Sequence, residues 1–440
     1  MGFVKRHKIL CIVLGIVVVL AAVAGVWAYR VYRTVAGPAF AQADASQMQQ
    51  PQAPTGAQTV SLGYLSEVIM LGAPSGTSTY NEIPVGWDDA WFSRPSSEFN
   101  YGLAQFSIAA SAMANGESMS HSDEVDFDIC ERTLGPLGFT DIDTSSYEGS
   151  TYAADEIEHI IEGRTDDVAF VLAHKTLPAV GGAAPCELVL LSIRGTYGSE
   201  WLSNFKVELG GGEYSIDEHA GYLATTGGVL ESLTGYCSDH GIDLGASKLL
   251  ITGHSRGASV AGTLAAMIAD LDKADGNGLV GGPESVYAYC FATSPNTKSE
   301  RAHDPLYAGI FNILDPTDLV PLVPLAEWGF TYWGRVGMLP DTEAAGFTGL
   351  FDDMNRVRAH NTGYIGIKPY HEGDVNLAAA LHDDIAEIVP TVDGMGDPSK
   401  LARAVGVVSE YDMVRILASH CPDTYIAWLQ TLAAGDIAWE

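Results

Sequence analysis

Short apolar runs alternate with longer amphipathic stretches along the chain from about residue 58. The apolar runs have the length of buried strands and cover residues 168–173, 188–193, 249–252, 286–292 and 310–314. Stretches with a helical spacing of apolar residues lie between some of these runs, notably at 221–238 and 257–272. Strands that are apolar on both faces must be covered on both faces. The alternation therefore predicts an α/β fold with a mostly parallel central sheet and helices on both of its faces.

A separate pattern occupies the N-terminus. Lys5, Arg6 and Lys8 precede an uncharged, apolar run from residue 9 to residue 29. This run has about the length that a helix needs to cross a bilayer. Basic residues on the short N-terminal side favour retention of that side in the cytoplasm. We therefore predict a cytoplasmic basic stub and a transmembrane signal-anchor over 1–29, with the rest of the chain at the outer face of the cell membrane.

The sequence after this run leaves one alternative open. The triplet Ala39-Phe40-Ala41 resembles a signal-peptidase site, and cleavage there gives a secreted chain, although Arg30 and Arg33 separate the site from the apolar run. Residues 30–57 are rich in Ala, Gln, Ser, Pro and Gly and predict a flexible linker. A single domain is expected to follow over 58–440.

Composition and charge limit the kinds of molecule that the chain can be expected to bind. The chain has 440 residues, of which 47% are hydrophobic, and its formal net charge is −32. It can therefore form a large core, and its negative field argues against nucleic acid as a partner. The six cysteines fit no metal-site spacing. Cys130, Cys186, Cys237 and Cys421 are as compatible with buried thiols as with disulfides.

The most specific motif is Gly253-His254-Ser255-Arg256-Gly257. It follows an apolar run and opens the helical stretch 257–272, which is the strand–turn–helix setting of a G-x-S-x-G nucleophile elbow. So sharp a turn needs almost no side chain two positions before and two positions after the serine. The motif predicts an α/β-hydrolase fold with Ser255 as the nucleophile. A chance Gly-Ser-Gly turn is the alternative.

Acyl transfer at a serine also needs an oxyanion hole, made of N–H groups that face the developing negative charge. In this fold one donor is the N–H of the residue after the nucleophile, here Arg256. The second donor comes from a loop after an earlier strand, and Arg194-Gly195-Thr196 follows the run 188–193. We therefore predict the N–H groups of Arg256 and Thr196 as the oxyanion hole.

The acid and the base are expected after the serine, in that order. Asp318 follows the run 310–314 and is the favoured acid, while Asp315 is assigned a helper or structural role. The candidate bases that follow are His360, His371, His382 and His420. Spacing alone does not choose among these four histidines.

Taken together, the elbow and the Arg-Gly-Thr loop resemble the class 3 lipase family, which includes fungal triacylglycerol lipases. Further matches to the family pattern are Trp201-Leu202, His219-Ala220-Gly221-Tyr222, Ser294-Pro295, Asp318-Leu319-Val320-Pro321, and His420 with Tyr425. The resemblance covers about residues 95 to 435. It implies Ser255 as the nucleophile, Asp318 as the acid and His420 as the base.

The chain also departs from the family pattern. Arg256 and Ala258 stand where better-known members have Leu and Gly, but an oxyanion hole needs only the backbone of the first. The interval from Asp318 to His420 looks longer than in compact members. Residues 340–410 are therefore predicted to be an inserted cap or lid.

These observations predict a serine hydrolase that cleaves carboxylic esters through an acyl-enzyme, with no metal or cofactor. Lipid esters, either acylglycerols or phospholipids, are the favoured substrates. One alternative is an esterase for short-chain or glycan-linked acyl groups. The other is a catalytically silent binding module anchored at the surface.

Overall fold

The computed structural model describes residues 40–72, 77–122, 124–148, 168–179, 184–195, 220–275, 279–340, 346–366, 377–391, 398–408 and 410–440. The strands among them are β1 Phe40–Gln42, β2 Gln58–Leu65, β3 Tyr80–Trp87, β4 Thr140–Asp143, β5 Phe170–Leu177, β6 Cys186–Ile193, β7 Lys248–His254, β8 Val286–Phe291, β9 Ile310–Leu314, β10 Arg335–Met338, β11 Tyr364–Gly366 and β12 Ala438–Trp439. The α-helices are α1 Glu67–Gly72, α2 Tyr101–His121, α3 Ile129–Leu134, α4 Ala220–Asp239, α5 Arg256–Asp275, α6 Phe347–Thr362, α7 Leu377–Ile388, α8 Pro398–Val408, α9 Met413–His420 and α10 Pro422–Thr431.

The main sheet has the strand order β12-β10-β9-β8-β7-β6-β5-β4. Its five middle strands, β6 to β10, are mutually parallel. Every residue of β8 and of β9 is buried, as expected for strands covered on both faces. The predicted α/β fold with a mostly parallel central sheet is thus confirmed.

The strand β5 differs from the prediction, because it pairs with β6 in the antiparallel direction. Its apolar sequence suggested another member of the parallel set. However, only residues 178–185 join β5 to β6, and a parallel pair needs a crossover connection of about a dozen residues or more. The two strands therefore form a hairpin at one side of the parallel set, and β4 extends this side.

Alternation along each central strand divides the core between the two faces of the sheet. Leu188 and Leu190 of β6 belong to one buried cluster, which contains much of α2 and α10. Val189 and Leu191 belong to a second buried cluster, which contains the apolar sides of α4 and α5. The helices thus cover both faces, because each central strand directs apolar side chains to both.

The segment 40–57 corrects the prediction of a flexible linker over 30–57. β1 pairs in antiparallel register with β11, and the side chain of Phe40 is buried. Farther along, the backbone N–H groups of Gln49 and Gln52 donate to the carbonyls of Arg356 and Gln430. A polar composition suggested a free tether, but one buried aromatic ring and pairing of the backbone hold this part against the domain.

The rest of the predicted linker and the predicted transmembrane segment lie outside the described residues. None of the helices that the structure does describe combines the length and the apolar character needed to cross a membrane. The cysteines at 130, 186, 237, 290 and 421 are free thiols.

The predicted insertion at 340–410 contains α6, β11, α7 and α8. α6 contributes Phe347 and Phe351 to the main core, where both rings approach Trp428 of α10. α7 places Ala378 and Leu381 in a smaller cluster with Leu319, the residue after Asp318. The insertion therefore packs partly into the core and partly over the loop after β9, and its role as a lid stays a prediction.

Replacement of Leu250 by Ala tests the position of the core. Leu250 is fully buried in the middle of β7, so the change should lower the free energy of unfolding by about 2–5 kcal/mol. Leu271→Ala on α5 is the matched control, because Leu271 is 39% exposed and its loss should have a much smaller effect. Urea titration of both variants measures the difference. Equal destabilisation would contradict the assigned core.

Candidate active site

Ser255 lies on a strained turn between β7 and α5. Its φ is 56°, in the left-handed region that residues with a side chain rarely occupy. Two close backbone contacts require glycine at positions 253 and 257. A Cβ on Gly253 would lie 2.4 Å from the carbonyl carbon of Gly257, and a Cβ on Gly257 would lie 2.4 Å from the carbonyl oxygen of Ile193. The motif therefore reflects contact between β6, β7 and the start of α5.

His420 connects Ser255 with Asp318 through two short hydrogen bonds. Its Nε2 lies 2.8 Å from Ser255 Oγ, and its Nδ1 lies 2.8 Å from Asp318 Oδ2. Because a carboxylate only accepts, Nδ1 donates to Asp318, and in the neutral ring Nε2 then offers its lone pair to the serine hydroxyl. The ring is thus oriented to take a proton from Ser255.

The other candidate bases do not take this position. His382 on α7 faces Asp383 at 3.1 Å and Glu327 at 3.5 Å. His360 lies within α6, and His371 falls outside the described residues. Among the described histidines the structure therefore brings His420 to Ser255, although 165 residues separate the two in sequence.

Asp318 is held by two further donors. The hydroxyl of Tyr425 donates to Oδ2 at 2.8 Å, and the N–H of Val320 donates to Oδ1 at 2.9 Å. The first donor comes from α10 and the second from the loop that carries Asp318 itself. These bonds fix the direction in which the carboxylate faces His420.

Asp315 supports the same loop without contacting His420. Its Oδ1 accepts from the N–H of Thr317 at 2.8 Å, and its Oδ2 accepts from Trp428 Nε1 at 3.0 Å. Burial raises the pKa of Asp315 to about 7. Asp318, and not Asp315, is thus the carboxylate that contacts His420, while Asp315 shapes the loop.

Buried charges control the protonation of His420. Burial alone would lower the pKa of His420, but the negative charge and hydrogen bond of Asp318 outweigh it, with Glu67 and Asp315 adding to the effect. The net result is a pKa above the ordinary value of 6.5. Glu67 is the first residue of α1, and burial raises its own pKa to about 7.

His254, inside the elbow motif, has a role that the sequence did not predict. Its Nε2–H donates to the backbone carbonyl of His420 at 2.8 Å. Burial first, and then the charge on His420, lower the pKa of His254 well below 6.5, so this ring stays neutral. The residue before the nucleophile thereby positions the backbone of the candidate base.

The structure describes part of the predicted oxyanion hole. Arg256 is the first residue of α5, so its backbone N–H lies in the first turn, where N–H groups have no acceptor within the helix itself. Thr196 lies outside the described residues. The preceding Gly195 donates its N–H to Asn115 Oδ1 at 2.9 Å, and a Cβ there would lie 2.8 Å from the carbonyl oxygen of His254. The start of this loop is therefore held by α2 and by the elbow.

Asn115 is a second residue that the sequence did not predict. It is buried on α2, and its Nδ2 donates to Glu67 Oε1 at 2.7 Å while its Oδ1 holds Gly195. Asn115 therefore links the carboxylate near His420 with the loop that leads to Thr196. The available signal was an amide directly after an apolar helical stretch, where a buried polar group needs a partner.

Two groups of side chains in the described part of the chain could hold a metal ion. One consists of Asp141, His174 and His240, and the other of Glu117, Asp128 and Cys130. Neither group includes Ser255, Asp318 or His420.

A nucleophile elbow on a mostly parallel sheet, with a histidine that faces the serine and a carboxylate that faces the histidine, is the arrangement of the α/β hydrolases. Residues 190–328 match the model of one family, Lipase (class 3). This segment runs from β6 to the loop after β9 and includes Ser255 and Asp318, while His420 lies beyond it. The resemblance to class 3 lipases is thus confirmed, and with it the assignment of the chain as a carboxylic ester hydrolase.

Solved structures of lipases are similar to the chain at a distance. A triacylglycerol lipase with a serine protease triad at its catalytic centre is 15% identical, with a TM-score of 0.37 over 56% of this chain and 83% of that one. A lipase from Rhizopus microsporus var. chinensis is also 15% identical, with a TM-score of 0.37 over 67% and 84%. The Rhizomucor miehei triacylglyceride lipase is 19% identical, with a TM-score of 0.29 over 39% and 62%. A comparison with curated proteins gave no match.

The pH dependence of hydrolysis tests the charges around His420. A general base must be unprotonated, so kcat/KM should rise with pH through the pKa of His420, and activity should be lost as pH falls below it. Glu67→Gln removes a negative charge that raises this pKa, so the acid limb should move to lower pH. Glu98→Gln on the exposed surface is the control and should leave the limb in place. An unchanged limb in Glu67→Gln would contradict the influence of Glu67.

Replacement of Asn115 by Ala tests the loop anchor. The change frees the N–H of Gly195, and misplacement of the following donor should lower kcat by about 10–100-fold with little change in KM. Ser111→Ala is the control, since Ser111 is buried on the same helix but contacts Thr252 instead. Steady-state kinetics of the two variants, measured at a temperature where both are folded, give the comparison. A change in KM alone, or an equal fall in kcat in both variants, would argue against a role for Asn115 in positioning.

Proposed function

We propose that Ser255, Asp318 and His420 form the catalytic triad of a lipase-family serine hydrolase that cleaves lipid esters. The observation that supports this most strongly is the pair of 2.8 Å hydrogen bonds that His420 makes to Ser255 and Asp318. Both bonds have the length required for proton transfer between the groups. The three residues occur along the chain in the order serine, acid, histidine, which is the order of the α/β hydrolases.

Hydrolysis then proceeds in two halves. His420 Nε2 takes the proton of Ser255 as its Oγ attacks the ester carbonyl, and Asp318 stabilises the imidazolium that forms. The imidazolium next donates this proton to the leaving alcohol, and the acyl group stays on Ser255. Water, deprotonated by the same ring, attacks the acyl-enzyme, and the ring then returns the proton to Ser255 Oγ as the carboxylic acid leaves.

The N–H groups of Arg256 and Thr196 are assigned to the oxyanion. Each such donor contributes about 10²–10³ in rate in enzymes of this type. The position of Arg256 at the start of α5 supports the first assignment, because a helix N-terminus stabilises negative charge. The anchored Gly195 supports the second assignment, because it sets the direction in which the chain continues to Thr196.

Acylglycerols or phospholipids are the proposed substrates, and the cell membrane is the proposed location. The family match supports lipid esters as the substrate class. The apolar run 9–29 with its preceding basic residues supports a single membrane anchor with the hydrolase domain outside the cell. With a net charge of −32, contact with an anionic lipid surface depends on apolar groups.

Hydrolysis of p-nitrophenyl esters, from acetate to palmitate, tests the proposal with the full chain in detergent. Ser255→Ala and His420→Ala should each lower kcat by at least ~10³-fold, because neither the nucleophile nor the base has a substitute. His382→Ala is the matched control, since it removes another histidine that follows the elbow and should keep activity.

The outcomes separate the alternative functions. An optimum at long chains supports a lipase, and an optimum at acetate or butyrate indicates a short-chain or glycan-acyl esterase. Activity kept in His420→Ala would move the base to His360 or His371. A folded chain that neither hydrolyses any ester nor reacts with a fluorophosphonate would overturn the proposal in favour of a binding module.

A further inference from the structure

Three metal-binding side chains meet at the side of the main sheet formed by β4 and β5. Asp141 lies on β4, His174 lies on β5, and His240 follows the last residue of α4. One ligand atom from each lies within 4.8 Å of the others. His174 Nε2 is 3.0 Å from Asp141 Oδ2, and His240 Nδ1 is 3.9 Å from Asp141 Oδ1.

A second carboxylate orients His174. The Nδ1 of this ring lies 3.1 Å from Glu187 Oε2 on β6, and Thr176 Oγ1 donates to Glu187 Oε1 at 2.6 Å. Because a carboxylate only accepts, Nδ1 carries a proton and donates it to Glu187. Metal-binding histidines in proteins are oriented in the same way, with the nitrogen opposite the metal donating to a carboxylate.

This orientation leaves a conflict at the other ring nitrogen. In the neutral ring, the lone pair of Nε2 faces the lone pairs of an Asp141 oxygen 3.0 Å away. A cation between the two atoms, either a proton on Nε2 or a metal ion, removes this conflict.

The position of His240 favours a metal ion over a proton. A proton on His174 satisfies Asp141 but leaves His240 Nδ1 3.9 Å from the carboxylate, beyond hydrogen-bond distance. A metal ion uses all three groups. The ring of Tyr236 packs against that of His240, with centroids 4.5 Å apart, and its hydroxyl donates to the carbonyl of Asp141. The end of α4 and the strand β4 are thereby already held at the spacing of the site.

We propose that Asp141, His174 and His240 bind a divalent transition-metal ion, with Glu187 orienting His174. Two imidazoles and one carboxylate suit Zn²⁺, which binds such ligands at about 2.0–2.2 Å and completes four-fold coordination with water. Asp141 and His240 are exposed, so rotation of their side chains can bring the three ligand atoms to that distance. The ion braces the end of α4 against β4 and β5, and the proposal is independent of the chemistry at Ser255.

Calorimetric titration of the full, metal-free chain with Zn²⁺ tests the site. One equivalent should bind, and the melting temperature should rise with Zn²⁺ concentration, because the ion binds the folded chain preferentially. Titration with Co²⁺ should give visible absorption bands of a four-coordinate site. His240→Gln and His174→Gln should each remove this binding, and Glu187→Gln should weaken it about 10–100-fold.

His382→Gln is the matched control. His382 also lies between two carboxylates, Glu327 and Asp383, but belongs to neither group of three possible ligands among the described residues. Its replacement should leave the Zn²⁺ affinity unchanged. Equal affinity in His174→Gln, His240→Gln and His382→Gln would show adventitious surface binding only and overturn the proposal. No heat and no thermal shift in the unaltered chain would show that a proton alone occupies the cluster.

Discussion

The close backbone contact at the elbow is the constraint on which the rest of the site depends. Here β6, β7 and the first turn of α5 approach so closely that Gly253 and Gly257 have no room for a Cβ. This contact holds Ser255 at a φ of 56°, which an isolated chain would avoid. The cost of this conformation is borne by the sheet, because Ser255 N–H donates to the carbonyl of Phe291 in β8. A rigid sheet thus maintains a backbone geometry that local sequence would not choose.

Around this turn the structure concentrates buried carboxylates, which would be unfavourable without partners. Asp318 and Asp315 receive donors from α10, and Asp423 receives donors from Tyr64, Ser66 and Val68. The negative charges of Asp318, Glu67 and Asp315 make a proton on His420 favourable, even though burial opposes it. The network therefore suits the proposed mechanism, in which the imidazolium is the species that forms when Ser255 attacks.

The sequence predicted the positions of the long buried strands. It did not predict features that depend on a few contacts, such as the pairing direction of a strand or the packing of a short polar segment. The apolar runs located β6 to β9 within about two residues, because a strand covered on both faces has few alternatives. The pairing direction of β5 depends on the length of its connection to β6, which the composition of the strand does not encode. The packing of residues 40–57 depends on one ring, Phe40, in a polar segment. The short strands β10 and β12 carry mixed residues and gave no periodic signal.

The same distinction holds within the site. Ser255 and Asp318 belong to motifs whose spacing has a local physical cause, so their places were predictable from the residues. His420 was one of four histidines until a resemblance singled it out, because its approach to Ser255 depends on how distant helices pack. Asn115 and His254 act through single hydrogen bonds to backbone atoms of other segments. Such bonds have no sequence period, so only the folded arrangement reveals them.

The C-terminal helices couple this chemistry to the stability of the whole domain. α9 ends at His420, and α10 supplies the Tyr425 hydroxyl that holds Asp318. On the same helix Trp428 is fully buried against Phe351 of α6, and its indole N–H holds Asp315. Trp428 therefore belongs to the core and also supports the loop that carries Asp315 and Asp318. Loosening of α10 would displace His420 and Asp318, the proposed base and acid, together, so the geometry at Ser255 persists only while the core around Trp428 is intact.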